Sequence, residues 1–245
     1  MYDTAVAMAK RLLVDSIWKS ANLEGLGTTF PKTEAILANA PTNTKAEEVL
    51  FIVNMKRAWE FLLDNIDAAN NIALLREYNK IACNTLVYNA GELRNIPVGI
   101  GGTSWLPEIP QAGVIIDSLK ELEKIHDPVT KALRYFCYVA RTQMFTDGNK
   151  RVAQLIANKI LIQYNVGIFQ IPLEHLEKFK TILLSFYETN DYTELLEFLK
   201  TTCIREVQLP IEDNKIYESI PESTRHMYGN SKTEIVENFK RQYNI

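Results

Sequence analysis

The chain has 245 residues, 47% of them hydrophobic, which is enough to bury a sizeable core and argues against a disordered protein. A formal net charge of −3 gives no overall basic field, so neither nucleic acid nor a membrane surface is expected as a partner. The widely spaced Cys83, Cys137 and Cys203 argue against a disulfide framework, and without a secretory signal or an uninterrupted apolar span the sequence predicts a soluble cytoplasmic protein.

Apolar residues recur at helical spacing through most of the sequence, which predicts an all-α fold. The predicted helices begin near residues 3, 46, 72, 114, 128, 149, 173, 192 and 232. Gly25 is expected to end the first helix, whereas Asp127 and Pro128 form a typical helix start. Residues 38–44 are predicted to be a connection.

Residues 91–110 interrupt the helical pattern. They hold four of the ten glycines and three of the nine prolines. Val98 and Ile100 alternate there with glycines, which is typical of a short strand. We therefore predict a short hairpin, or flap, in the middle of a helical protein.

Two cations occupy an unfavourable place at the start of a predicted helix. Lys150 and Arg151 fall in the first turn after Asn149, where the macrodipole is positive and the first amides lack intrahelical acceptors. This arrangement, with Gly148 before it, indicates a phosphate site at the helix start, and Asp147 is suited to a divalent cation. The alternative is an ordinary turn with solvated cations, since Asp-Gly-Asn is common turn chemistry.

Glu24 presents the opposite conflict, because an acid at the end of the first helix meets the negative end of its dipole. A cation from elsewhere in the chain would neutralise it. The alternative is a solvated glutamate before a helix-ending glycine. Since the two conflicts have opposite signs, one can satisfy the other.

Together these residues resemble the Fic family, whose core motif is His-Pro-Phe-x-Asp/Glu-Gly-Asn-Gly-Arg-x-x-Arg. The aligned residues 143–154 read Gln-Met-Phe-Thr-Asp-Gly-Asn-Lys-Arg-Val-Ala-Gln. Residues 20–25, Ser-Ala-Asn-Leu-Glu-Gly, match the family's inhibitory pattern Ser/Thr-x-x-x-Glu-Gly/Asn. Residues 91–94 and 98–103 resemble the family's target-binding flap. Asn158 matches an asparagine that faces the nucleotide region.

The resemblance covers roughly residues 10–203 and implies an all-α, Fic-type helical bundle with one short β-hairpin flap. On this basis we divide the chain into an N-terminal inhibitory helix and linker (1–45), a Fic core (46–203) and a C-terminal extension (204–245). A homo-oligomer is left open.

Active members of the family transfer AMP from ATP to a hydroxyl of a protein target, so the resemblance implies ATP and Mg²⁺ as cofactors and a nucleotide and a protein as partners. The implied roles are metal binding by Asp147, nucleotide binding by Gly148, Asn149, Lys150, Arg151 and Asn158, inhibition by Ser20, Glu24 and Gly25, target binding at the flap by Gly101, Gly102 and Thr103, and anchoring of the loop by Phe145.

Three positions depart from the family motif. Gln143 stands where the family has its general-base histidine, and an amide does not take up a proton at neutral pH. Loss of a general base typically costs on the order of 10²–10⁴ in rate. Lys150 replaces a glycine and resembles the related Doc branch, where phosphate transfer in a different orientation is implied. Gln154 replaces the second arginine, the usual partner of the inhibitory glutamate.

Whether the chain is an active enzyme therefore stays open. Our leading hypothesis is a Fic-fold protein that binds ATP or phosphate, with impaired or absent AMP transfer. One alternative is an active nucleotidyl or phosphoryl transferase without a catalytic histidine at position 143. A second is a peptide-binding module that uses the flap groove. None of the three histidines is near the motif in sequence, and an approach of one of them in three dimensions is left open.

Overall fold

The computed structural model describes residues 2–243 and shows an almost entirely helical protein, which confirms the predicted fold class. Met1, Asn244 and Ile245, which belong to the first and last predicted segments, lie outside the described residues. The helices are α1 (Asp3–Arg11), α2 (Leu13–Leu23), α3 (Phe30–Leu37), α4 (Ala46–Asp64), α5 (Ile72–Ala82), α6 (Ala112–Glu123), α7 (Pro128–Thr142), α8 (Asn149–Gln163), α9 (Leu176–Thr189), α10 (Thr193–Thr202), α11 (Ile211–Ser219), α12 (Glu222–Arg225) and α13 (Lys232–Tyr243).

The pair α7 and α8 forms the centre of the protein. The start of α7 is fixed as the sequence predicts, because the Asp127 carboxylate accepts a hydrogen bond from the Thr130 amide and Pro128 takes the first helical position. Helix α8 is buried along almost its whole length, with α4, α5, α7 and the first strand packed around it. The loop 143–148 joins the two helices, so this loop is held between buried elements.

One antiparallel sheet joins β1 (Gly167–Phe169) to β2 (Ile204–Glu206). Gly167 has a φ of 153°, and a Cβ there would lie 2.1 Å from the Arg205 carbonyl oxygen, so only glycine fits. Strand β1 is buried in the core, whereas Arg205 and Glu206 of β2 are exposed. The predicted boundary between residues 203 and 204 falls at the start of β2.

The N-terminal region differs in detail from the prediction. The first predicted helix is two helices, because the backbone leaves helical geometry at Leu12. Helix α3 was not predicted, although Thr29 caps it by accepting a hydrogen bond from the Lys32 amide. Helix α5 ends at Ala82, and a series of turns follows it.

Residues 91–110 do not form the predicted hairpin, and the strands β1 and β2 lie elsewhere in the chain. In the described chain this segment is irregular, with a turn at Gly101 and Gly102. Arg94 explains the difference, since its buried guanidinium donates hydrogen bonds to the carbonyl oxygens of Ile96, Pro107 and Glu108. A hairpin would need such carbonyl oxygens for the hydrogen bonds between its strands. The prolines in the segment also lack the amide hydrogens of a strand.

Among residues 2–243, no helix is long and apolar enough to cross a membrane.

Candidate functional site

The loop 143–148 turns sharply between α7 and α8. Gln143 ends α7 in the left-handed region, with φ 48°, and Gly148 precedes α8 with φ 81°. A Cβ at position 148 would lie 2.3 Å from Cys83 Sγ and 2.9 Å from Asn79 Nδ2. Glycine is therefore required both for the backbone conformation and for the close approach of α5.

The Asn149 side chain closes this loop on itself. Its Oδ1 accepts a hydrogen bond of 2.9 Å from the Phe145 amide, and its Nδ2 donates to the Phe145 carbonyl at 2.8 Å. The same Nδ2 donates to Gln143 Oε1 at 3.0 Å, while Gln143 Nε2 donates to the Ala140 carbonyl at 2.6 Å. Phe145 is buried beneath the loop. Asn149 therefore fixes the loop, and both ends of the Gln143 amide are used in doing so.

Asp147 lies at the surface of the loop, with 57% of its side chain exposed. Its carboxylate is 2.5 Å from Arg151 Nη2 and accepts a hydrogen bond of 2.6 Å from the Gly148 amide. Burial acts to raise the pKa of this carboxyl, but the charge of Arg151 and these hydrogen bonds outweigh it, so the pKa lies below its ordinary value. Asp147 is therefore a carboxylate at neutral pH.

Arg151 lies below the loop and is almost fully buried. It donates to the Ala82 carbonyl at 3.2 Å, and its guanidinium lies 5.3 Å from the centre of the Phe51 ring. Its Nε has no hydrogen-bond partner and is 3.8 Å from Glu24 Oε1, which also has none. A buried donor of this kind is costly to leave unpaired. The site therefore has an unsatisfied cationic donor directed toward Glu24.

Lys150 also contacts the carboxylate of Glu24. Its Nζ lies 3.0 Å from Glu24 Oε2, and Glu24 is the residue that follows α2. Glu24 and Lys150, each placed unfavourably with respect to its own helix dipole, thus neutralise each other in one ion pair. This contact brings the N-terminal helices to the candidate site.

Two of the residues singled out in the sequence have structural contacts away from the loop, and a third, Gly25, lies in open space. Gln154, in place of the second arginine, donates to Ser20 Oγ at 3.3 Å and does not reach Glu24. Asn158 pairs through its amide with the backbone of Phe169 in β1, at 3.0 Å and 2.8 Å. Gly25 adopts φ 82° after α2, with open space where a Cβ would lie.

A cavity of about 390 Å³ lies over the loop and brings together six of the fourteen predicted site residues, namely Glu24, Gly101, Gln143, Asp147, Asn149 and Lys150. This volume is within the range of small-molecule sites. The residues that line it are Leu23, Glu24, Val98, Gly99, Ile100, Gly101, Gln143, Thr146, Asp147, Asn149, Lys150, Phe179, Lys180, Leu183, Leu184 and Tyr187. We call this cavity the loop cavity.

One wall of the loop cavity comes from α9, which the sequence did not connect with the site. Tyr187 and Leu184 on α9 look like ordinary core positions of an amphipathic helix, so their sequence pattern carries no functional signal. The flap packs on this helix. A Cβ at Gly102 would lie 3.0 Å from Leu184 Cδ1, and Thr103 Oγ1 donates to Glu188 at 2.9 Å.

Arg94 is the second residue whose role the sequence did not reveal. Its side chain is only 1% exposed, and its Nε donates to the Gln143 carbonyl at 2.6 Å. The Arg94 amide also donates to the Met144 carbonyl at 3.0 Å. Arg94 therefore joins the flap to the loop.

The residues of the loop cavity fit a magnesium-bound polyphosphate. The first amides of α8 have no intrahelical acceptors, and Lys150 supplies a cation in the cavity wall. Arg151, which was predicted to bind the nucleotide, is buried and does not line the cavity. Within the described chain no three His, Cys, Asp or Glu side chains group into a metal site. A single exposed carboxylate suits Mg²⁺, which is usually held by one or two carboxylates together with phosphate oxygens.

No histidine lines the loop cavity. His126 and His226 are exposed, and His175 packs edge-on against Phe198. The alternative that a distant histidine approaches Gln143 is therefore wrong.

Residues 63–161 match the family model "Fic/DOC family". The chain is similar to the solved structure of Fic-1 from C. elegans, with a TM-score of 0.69 and 18% identity over 99% of this chain and 67% of that one. For a Fic domain-containing signaling protein from Bacteroides thetaiotaomicron the TM-score is 0.67 and the identity 20%, over 81% of this chain and 85% of that one. For a Fic family protein from Desulfovibrio desulfuricans the values are 0.66 and 17%, over 94% and 77%.

No curated protein sequence matches this chain. The resemblance of the sequence to the Fic family is confirmed by the family model, and the similar structures show a shared fold.

Proposed function

Because residues 63–161 carry a Fic/DOC domain in a chain with the Fic fold, we propose that this protein binds ATP with Mg²⁺ in the loop cavity and has impaired or absent AMP transfer to protein hydroxyls. The observation that carries the proposal is the place of Gln143. It lines the cavity beside Asp147 and Lys150, where the family has its general base. We also propose a cytoplasmic location, supported by three cysteines that are all unpaired and buried.

Binding requires an anion site, and the start of α8 provides one. The free first-turn amides lie at the positive end of the helix dipole, where they would hold phosphate oxygens, and Lys150 would add a positive charge. Asp147 is the residue that would hold Mg²⁺, which when bound neutralises charge on the phosphates. Asn149 keeps the loop in shape rather than contacting the nucleotide with its side chain.

Transfer requires a group that takes the proton from the attacking hydroxyl, and Gln143 cannot do this. The other groups near it are poor substitutes. Burial and the Glu24 charge raise the pKa of Tyr187, although a contact with the Gln143 amide acts the other way, so the phenol stays protonated at neutral pH. Asp147 has a lowered pKa and is already paired with Arg151. These contacts support slow or absent transfer.

Glu24 restricts the same site. Its carboxylate lines the loop cavity and pairs with Lys150 at 3.0 Å. A triphosphate that uses Lys150 has to break this pair and meets a negative charge there. We therefore propose that Glu24 lowers the affinity for ATP, through Lys150 rather than through a second arginine.

Two measurements test the proposal. Calorimetry with ATP and Mg²⁺ on the native protein and on Glu24→Gly is expected to show ATP binding by at least the Glu24→Gly variant. The absence of binding heat with both proteins would contradict the proposal. Labelling with α- and γ-labelled ATP in parallel is expected to show little AMP transfer for the native protein. Rapid transfer by the native protein that is lost in Asp147→Ala would instead support a transferase with another base.

A second candidate function is capture of an extended peptide, and the backbone of the flap favours it. Within the described chain, the amides of residues 98–102 donate to no backbone carbonyl, so they are free to pair with an added strand. Binding to a peptide array that is lost in Gly101→Pro but unchanged in Asp147→Ala would favour this function over nucleotide binding. Equal binding by both variants and the native protein would count against it.

A further inference from the structure

A second cavity, with a volume of about 690 Å³, is separate from the loop cavity. It is formed by residues 105–111, by one face each of α6 and α7, and by Phe186, Asn190 and Tyr192 at the end of α9 and beyond it. We call it the distal groove. None of its residues belongs to the family motif.

Two arginines of α7 line the distal groove. Arg134 and Arg141 are seven residues apart, which places them on the same side of the helix about 10 Å apart along its axis. The guanidinium of Arg134 lies 3.7 Å from the centre of the Tyr192 ring, and that of Arg141 lies 4.4 Å from the centre of the Trp105 ring. Each cation is thus backed by an aromatic face.

Neither arginine is paired with a carboxylate in the described part of the chain. Arg141 Nε is buried and has no hydrogen-bond partner, so it is a donor without an acceptor. Of the two acids in the groove, Glu121 is already neutralised by Lys124 at 2.7 Å, and Glu108 is exposed. The two arginines therefore have no carboxylate partner within residues 2–243 and are the cations in the groove wall that an acidic ligand can pair with.

The rim of the groove is apolar and exposed. Leu106 is 68% exposed, Val114 60% and Ile109 48%. Large apolar side chains that cluster in this way beside a concave surface typically mark an interaction site. Apolar anchors together with unpaired arginines suit a ligand that has apolar side chains and acidic groups.

The distal groove adjoins the loop cavity. Trp105 in the groove stacks on Tyr187 in the loop cavity, with ring centres 5.7 Å apart and an angle of 14° between the planes. From Gly101 in one cavity to Leu106 in the other the chain spans at most about 18 Å, the length of five extended residues. One extended peptide along residues 98–109 can therefore reach both.

We propose that the distal groove binds an extended segment of a protein partner in which apolar side chains are flanked by acidic residues. This segment would anchor the partner beside the flap and so determine which proteins are bound. The inference rests on the proposed docking of a protein along the flap. The acidic groups pair with Arg134 and Arg141, and the apolar side chains pack on Leu106, Ile109 and Val114.

The test measures binding of labelled twelve-residue peptides with a central Leu-Phe pair and either Glu or Lys at the flanking positions, without nucleotide. The Glu peptides are expected to bind, more weakly as salt increases, and the Lys peptides are not. Arg134→Gln is expected to weaken binding about tenfold, and Val114→Asp, which adds a negative charge at an exposed position, by a similar factor. Arg205→Gln, an exposed arginine on β2, is the matched control and should bind like the native protein.

Binding of Glu and Lys peptides alike, no binding at all, or equal binding by Arg134→Gln and Arg205→Gln each overturns the proposal. ATP binding is measured in parallel on the same samples. A protein that binds ATP but none of the peptides contradicts the distal groove and not the nucleotide site, whereas the reverse result contradicts the nucleotide site alone.

Discussion

Lys150 and Glu24 form an ion pair of 3.0 Å that links the first turn of α8 to the end of α2. Each residue sits where its own helix dipole disfavours it, and each supplies the charge that the other helix end lacks. The pair lies inside the loop cavity, so it competes with any anion that binds there. The folded N-terminal region therefore affects whether an anion can bind in the loop cavity.

Replacing Glu24 with glutamine is expected to strengthen ATP binding about tenfold, because Lys150 then has no carboxylate partner and the cavity loses a negative charge. Calorimetry in the presence of Mg²⁺ measures the change. Glu47→Gln, an exposed acid in the first turn of α4, is the matched control and should leave the affinity unchanged. Unchanged affinity in Glu24→Gln would show that the pair does not oppose the nucleotide.

Introducing the family's general-base histidine at position 143 should restore AMP transfer. Gln143→His is expected to raise AMP transfer by at least about 10²-fold over the native protein, since a histidine there has a pKa near working pH. The rate should rise with pH as the imidazole loses its proton, around its ordinary pKa of about 6.5. Transfer of α-labelled ATP measures this. Gln143→Ala is the control that changes the same position without adding a base. Equal rates for the two variants would contradict the prediction.

Gly148→Ala is expected to destabilise the protein by about 2–3 kcal/mol, because the new Cβ would lie 2.3 Å from Cys83 Sγ and the residue would keep a positive φ. Urea unfolding measures the loss. Gly113→Ala in α6 is the matched control, since open space surrounds that position and alanine favours a helix. Adding Cys83→Ala should recover part of the stability in the first variant. No recovery would assign the loss to the backbone alone.

Arg94→Met is expected to loosen the flap, because the carbonyls of Gln143, Ile96 and Glu108 then lose their donor. The free energy of unfolding should fall by about 3 kcal/mol or more. Limited proteolysis should cut within residues 95–110 faster than in the native protein. Arg205→Met removes an exposed arginine and serves as the control. Unchanged cutting would mean that other contacts hold the flap.

Lys159 makes stability depend on pH. Its side chain is buried and donates to Asn70 Oδ1 at 2.8 Å and Gln163 Oε1 at 3.1 Å, and burial lowers its pKa from 10.5 to about 8. Between these two values the unfolded chain keeps the proton and the folded protein releases it, so stability should rise with pH across that window. The shift corresponds to at most about 3 kcal/mol.

Urea unfolding of the native protein and of Lys159→Met at several values from pH 7 to pH 10.5 measures this dependence. The difference in stability between the two proteins is expected to change across the window, with Lys159→Met relatively more stable at pH 7. Lys200→Met, an exposed lysine at the end of α10, should follow the native protein. Parallel curves for native protein and Lys159→Met would contradict the lowered pKa.

Much of the candidate site was predictable because its signals are local. The loop at Gly148, the cap and proline that start α7, and the two cations at the start of α8 all depend on neighbours within a few residues. The opposite charge conflict at Glu24 is local as well. The two conflicts together predict an ion pair between the end of α2 and the start of α8.

The flap shows the limit of this reasoning. Alternation around Val98 predicted strands, but the hydrogen bonds of a strand depend on a partner, and here Arg94 takes several of the carbonyls instead. The strands β1 and β2 are short and far apart in sequence. Neither is long enough for an alternation of apolar and polar residues to predict a strand.

The sequence by itself determined the helical fold, the opposite charge conflicts at Glu24 and at the start of α8, and the absence of a histidine at position 143, because these follow from residue type and short spacing. Only the tertiary structure decided that Lys150 rather than residue 154 pairs with Glu24, that Tyr187 closes the loop cavity, and that no other histidine replaces the missing base. Side chains distant in sequence meet only when helices pack, and the core fixes that packing through many weak contacts that no short motif records.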